Sequence, residues 1–195
     1  MAAQAGEGPK QRGGVVPVDY ALSRIREEPV LLALYSYWDS VRNGKDVPDR
    51  ADIDPVDMPC FILPHLAMTD VDDGMRFKVR LVGTEIVRHH QHDTTGKFAA
   101  EYMEGAYLEY ITSLYVELRA SRRPVFSESI FRHIDTNFKT SRLILPLTHG
   151  GSAVAIALMG QIFQPLDAQP EAPLTVPLDS ASLEIVSRIT LPSEA

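Results

Sequence analysis

Between Arg76 and Lys97 (RFKVRLVGTEIVRHHQHDTTGK) the hydrophobic period changes once, and no other stretch narrows the available folds as much. Phe77, Val79 and Leu81 alternate with Arg76, Lys78 and Arg80, which predicts a strand buried on one face, with Val82 turned to the other. Gly83 ends the alternation, and Thr84, in an N-cap position ahead of Glu85, opens a short helix. His89, His90, Gln91 and His92 finish that helix, and Asp93-Thr94-Thr95-Gly96 reads as a turn. An antiparallel strand running directly into short helices predicts an α+β fold.

The flanking sequence supplies the partners such a strand needs. Leu66 to Val71 is a second strand, joined to the first by the turn-forming Asp72-Asp73-Gly74. Upstream, Pro29 suits a first helical turn, and Leu31, Leu34, Tyr35, Trp38 and Val41 form an apolar stripe that Gly44 ends. Val18 to Ile25 reads as an earlier helical turn or as an extension of that helix interrupted at Pro29, and the proline-rich Asp46 to Pro64 as a wrapping connection in which Asp54-Pro55 starts a one-turn helix and Phe61, Ile62 and Leu63 anchor to the core. Downstream, Leu108, Ile111, Tyr115 and Leu118 mark a longer helix over Tyr107 to Ser121. Three strands follow, over Val125 to Ile134, Phe138 to Leu147 and Val154 to Phe163. Residues 1–17 are too polar to bury much surface and read as a disordered tail; residues 18–165 form a single domain; residues 166–195 are a proline-punctuated tail in which Leu183 to Leu191 reads as a strand or a helix. The expected architecture is a five-stranded antiparallel sheet with helices on one face and an N-terminal amphipathic helix.

The motifs resemble one family. Trp38 with Arg42, Gly44, Pro48 and Arg50, then Asp52-Ile53-Asp54-Pro55, Asp70-Val71, Phe77, Arg80-Leu81, Gly83-Thr84-Glu85 and the Asp93-x-Thr95-Gly96 turn are similar to those of small standalone PAS-like proteins common in alphaproteobacteria, over residues 28 to 163. The resemblance implies a sensory or interaction module and no particular ligand. Members that bind flavin covalently carry their cysteine on the short helix before the longer one, whereas Cys60 precedes the first of these strands. A cysteine-flavin photosensor is therefore disfavoured, and the cofactor is left open.

Composition excludes several functions. A formal net charge of -7 disfavours binding to nucleic acid or to an anionic membrane. No window approaches the roughly 20 apolar residues of a membrane span, the N-terminus has no signal-like apolar run, and the single cysteine allows no internal disulfide. A cytoplasmic location is expected.

Candidate chemistry is sparse. His89, His90 and His92 with Asp93 have helical spacing, yet no further fixed ligand accompanies them, so a polar helix end accounts for them better than a metal site does. Gly96-Lys97 lacks the first glycine and the hydroxyl residue of a phosphate loop, and His149-Gly150-Gly151 reads as a hairpin turn without a nucleophile elbow. Asp52, Asp54 and Asp57 lack the pattern of a calcium loop. Arg76, Lys78 and Arg80 form a basic stripe that suits an acidic partner or simply a solvated face. The ligand-binding candidates are Tyr107, Tyr110 and Tyr115 on the long helix, with Phe126 and Phe131 opposite, and Gln161 as the polar residue of an apolar strand; aromatic core packing and an outward glutamine are the competing readings. These observations predict a non-catalytic regulatory module acting through a small ligand or a signalling partner, in contrast to a small isomerase- or hydrolase-type enzyme with a pocket carboxylate or histidine. A homodimer is expected, because Val82, Phe131, Ile144, Ile156 and Leu158 leave a second apolar sheet face for the N-terminal helix to cover, on its own sheet or on a two-fold mate.

Overall fold

The computed structural model describes residues 10–11, 17–72, 74, 76–133, 136–166 and 182–192. Its elements are β1 (Lys10–Gln11), α1 (Val18–Glu27), α2 (Pro29–Val41), β2 (Leu66–Val71), β3 (Phe77–Val82), α3 (Thr84–His90), α4 (Gly105–Ser121), β4 (Val125–His133), β5 (Thr136–Thr148), β6 (Val154–Pro165) and β7 (Ser182–Thr190), with short 3-10 turns in the connections. One sheet contains all the strands in the order β1-β7-β4-β5-β6-β2-β3. The expected antiparallel set, β2 to β6, is present, and β5 lies at the centre. The stretch left open between strand and helix is β7, which adds antiparallel to β4, and β1 pairs with it in parallel. Arg188 of β7 donates to Glu117 and to Ser113 of α4, so this strand is tied to the helix as well as to the sheet. Apart from Lys10–Gln11, the expected N-terminal tail up to Val16 lies outside the described residues, as do most of the C-terminal tail before Ser182, Asp73 of the first hairpin turn and the side chain of Phe131.

Each sheet face carries its own core, and the alternation of β5 divides them. Leu143, Leu145 and Leu147 point to one side, where they meet Leu31, Leu34 and Trp38 of α2 and Phe126 of β4. Ile144 points to the other, where it meets Ile111, Leu114 and Leu118 of α4 and Ile86 of α3. The helices after β3 therefore take one face as expected, and the N-terminal pair covers the opposite face of its own sheet. Ile156 and Leu158 lie beneath α2, but Ile144 and Val82 belong to the α4 side. Two close contacts seat α2. The Trp38 Nε1–H donates to the Pro146 carbonyl at 3.0 Å, and a Cβ on Gly160 would stand 2.7 Å from Leu34 Cδ2.

The connection after α2 locks to the β5–β6 hairpin. Asp49 Oδ2 accepts from Gly150 N at 2.8 Å and from Thr148 Oγ1 at 2.9 Å, while Asp54 caps its one-turn helix by accepting from Val56 N at 2.9 Å. Of the three expected anchors only Ile62 is buried, whereas Phe61 is 50% exposed and Leu63 is exposed too. In the 3-10 turn that holds them, successive side chains point about 120° apart, so only one of the three can face the core.

The Arg76–Lys97 stretch departs from expectation at two points. Met68 pairs with Leu81 and Thr69 with Val79, which leaves Arg80 as a bulge. The extra residue reverses the phase: Leu81 is exposed and Val82 packs inward against the α4 core. The N-cap of α3 is Gly83, one residue earlier than Thr84. Gly83 has an ordinary φ, but a Cβ there would lie 2.2 Å from the Pro64 carbonyl oxygen. Close backbone approach, not turn conformation, requires glycine at this joint.

Candidate functional site

Spacing on α4 decides which aromatic residues come together. Tyr107, Ile111 and Tyr115, four residues apart, form one line on the helix and face the sheet across a cavity of about 40 Å3. By this measure a water needs roughly 10–15 Å3, so the space suits about three waters or a comparably small molecule and not a planar cofactor. Tyr110 belongs to the neighbouring line with Leu114; its hydroxyl approaches Ser127 without closing a bond of normal geometry. Phe126 is buried on the opposite sheet face, because Val125 takes the α4 side and successive strand residues alternate. Tyr107, Tyr115 and Gln161 thus line the cavity, while Tyr110 and Phe126 do not.

The sheet contributes the polar wall. Gln161 is inward and buried, and in the β5–β6 register it pairs with Arg142. Arg142 is only 2% exposed. Its Nη1 donates to Ser129 Oγ at 2.9 Å and its Nη2 to Tyr107 Oη at 3.0 Å, and the guanidinium carbon lies 5.9 Å from the Tyr107 ring centroid. Arg142 Nε and Gln161 Nε2 are buried without a hydrogen-bond partner. Thr69 and Tyr115 hydroxyls stand 3.5 Å apart on the far wall, where Val82, brought inward by the bulge, also takes part.

The three histidines diverge. His89 stacks on Phe163 with ring centroids 4.0 Å apart, and His92 meets Tyr102 edge-on at 6.2 Å. His90 enters the cavity wall. Burial, then the Arg142 cation and then the other two histidines push its imidazole down to about 3, so it is neutral near pH 7. Among the described residues no group of three or more histidine, cysteine or acidic side chains is placed to hold a metal ion. Burial raises the Tyr102 and Tyr115 phenols, which stay protonated donors. Among the described residues lining the cavity none is a carboxylate, and a histidine held this far down is a weak base.

Sequence reading missed Arg142, Tyr102, Thr69 and any role for His90 in the cavity wall. The available signal was Arg142 itself, an arginine in phase with Ile144 on a strand whose other face is Leu143, Leu145 and Leu147.

Among the described residues no helix is long and apolar enough to cross a membrane. A family model described as a PAS domain matches residues 26–162. A search of curated proteins finds no match to the chain.

Proposed function

This chain belongs to the PAS domain family, whose members are in general sensory and regulatory modules, and on that premise we propose that it is a non-catalytic input module whose signal is a small molecule taken into the cavity beneath α4. The observation that carries this reading is the cavity's pair of buried, unpartnered donors, Arg142 Nε and Gln161 Nε2. Buried donors without acceptors cost free energy that a bound ligand recovers. The enzyme alternative gains no support, since the described residues of the cavity lining include no carboxylate to serve as a base.

The readout is the N-terminal helix pair. Ser129, which accepts from Arg142, follows Glu128 in β4, and Glu128 holds α1 on the other sheet face through Tyr20 and Arg24. A shift of Arg142 on ligand entry thus acts one residue away from the carboxylate that fastens α1. Mass spectrometry of a denaturing extract from freshly purified protein tests the reading: a stoichiometric small molecule supports it, and an empty protein whose α1 amides exchange identically under every candidate ligand overturns it. A signalling protein that reads α1 and α2 is part of the proposal. So is a homodimer, although α2 already covers its own sheet and leaves the two-fold contact to the outer helix surfaces. Light scattering on the full chain at micromolar concentration checks this, and a monomeric mass overturns it.

A further inference from the structure

Resting on the reading of the cavity as the input site, we propose that its ligand is a compact monoanion, a short-chain carboxylate held by the Arg142 Nε–H and the Gln161 amide. The charge balance points there. A guanidinium removed from water forfeits several kcal/mol of hydration unless a counter-charge or a full set of acceptors replaces it. Among the described residues no carboxylate lies within ion-pairing distance of Arg142, and its two hydrogen bonds go to neutral hydroxyls. Of the five N–H donors that an arginine offers, Nε–H has none of its need met.

Neighbouring groups complete an anion site. Gln161 lies across from Arg142 in the strand register, and both residues line the cavity, each with an unpaired buried donor. Tyr107 accepts from Arg142 and keeps its own proton to donate. His90, neutral as described above, adds no second positive charge, which sets the charge to be matched at one. Volume then limits the anion: about 40 Å3 suits formate or acetate, and excludes an adenine or flavin phosphate without a large rearrangement.

The test uses the full chain in a bulky sulfonate buffer at constant ionic strength, titrated with formate and acetate and, separately, with formamide and acetamide. Calorimetry and the thermal midpoint are read for the native sequence, Arg142→Met and Gln161→Leu. The expected result is saturable carboxylate binding that raises the midpoint, is at least tenfold weaker in Arg142→Met and several-fold weaker in Gln161→Leu, with no response to either amide. Equal binding of amide and carboxylate, or unchanged carboxylate binding in either variant, overturns the anion proposal. Should Arg142→Met fail to fold, Gln161→Leu and the amide comparison still decide it. A neutral molecule found in the denaturing extract, with no carboxylate response, would sink the anion and leave the sensory reading standing; an empty extract with no response to any probe would sink both.

Discussion

Among the described residues each face of the sheet buries one charged side chain, and the two are treated in opposite ways. Under α1 and α2, Glu128 is fully buried, yet its carboxylate is ringed by Lys139 Nζ at 2.7 Å, Tyr20 Oη at 2.5 Å, and Arg24 Nε and Ser141 Oγ at 3.2 Å. Burial alone would raise that carboxyl, but Lys139, Tyr20 and Arg24 together hold it below the usual glutamate range. Under α4, Arg142 is nearly as deeply buried, and its side-chain hydrogen bonds among the described residues go to two neutral hydroxyls. The first face is closed and serves as a fastening; the second holds an unmet demand for negative charge, and that difference separates scaffold from site.

Substitutions can break this contrast, and the largest effect belongs to the closed face. Trp38→Ala removes the centre of the α2 contact and strands the Pro146 carbonyl, with an expected loss of about 3–5 kcal/mol in denaturant unfolding. An unchanged midpoint would mean that α2 is detached from the sheet. Glu128→Gln comes next. Removing one member of a buried ion pair can cost about 3–5 kcal/mol, but Arg24 and Lys139 retain roughly a fifth of their side-chain exposure and can turn to water, so about 2 kcal/mol is expected. Hydrogen exchange should show the loss first in α1.

Acid separates the two faces by pH. The neutral His90 has its proton affinity lowered from 6.5 to about 3, so below about 6.5 the unfolded chain takes up a proton that the folded chain refuses, and stability falls from there toward about 3. Glu128 is lowered from 4.5, so its contribution is intact above that value and declines only as pH falls further. His90→Asn should therefore flatten the stability profile between 6.5 and 4.5, and Glu128→Gln only below 4.5. A profile that His90→Asn leaves unchanged would place that imidazole in water.

The smallest effect is expected where a buried charge is lost without a partner. Arg142→Met, with no ligand present, should change stability by no more than about 1 kcal/mol in either direction, because an unpaired buried cation contributes little net stabilisation. A loss as large as that of Glu128→Gln would show that Arg142 is a fastening too, and the contrast would fail.

Much of this molecule could be read from residues in order. Local signals placed β2 over Leu66–Val71, the Asp54 cap, α2 from Pro29 and the stripe of α4, because strand alternation, capping and helical spacing are properties of neighbours in sequence. The α+β class and the antiparallel set followed from the order of those elements. Of the six side chains proposed to bind ligand, Tyr107, Tyr115 and Gln161 reach the cavity, since periodicity assigns a face to a residue once the element is known, and that of Phe131 lies outside the described residues. It does not say which face holds the cavity, and so Phe126 and Tyr110 were included with the rest.

Other features depended on contacts between distant segments. Arg80 becomes a bulge only through the register of β3 on β2, and that single residue exchanges Leu81 for Val82 at the cavity wall. Gly83 is required because the Pro64 backbone, 19 positions earlier, lies against it. The last strand is a strand because β4 offers an edge and α4 offers Glu117 and Ser113. Arg142 and Glu128 are both charged residues in strands of similar composition, and the sequence determined that each would be buried or exposed only as far as strand phase could say. Whether a buried charge finds a counter-charge depends on which side chains distant elements bring within about 4 Å, and that was decided by the packing of α1 on one face and α4 on the other.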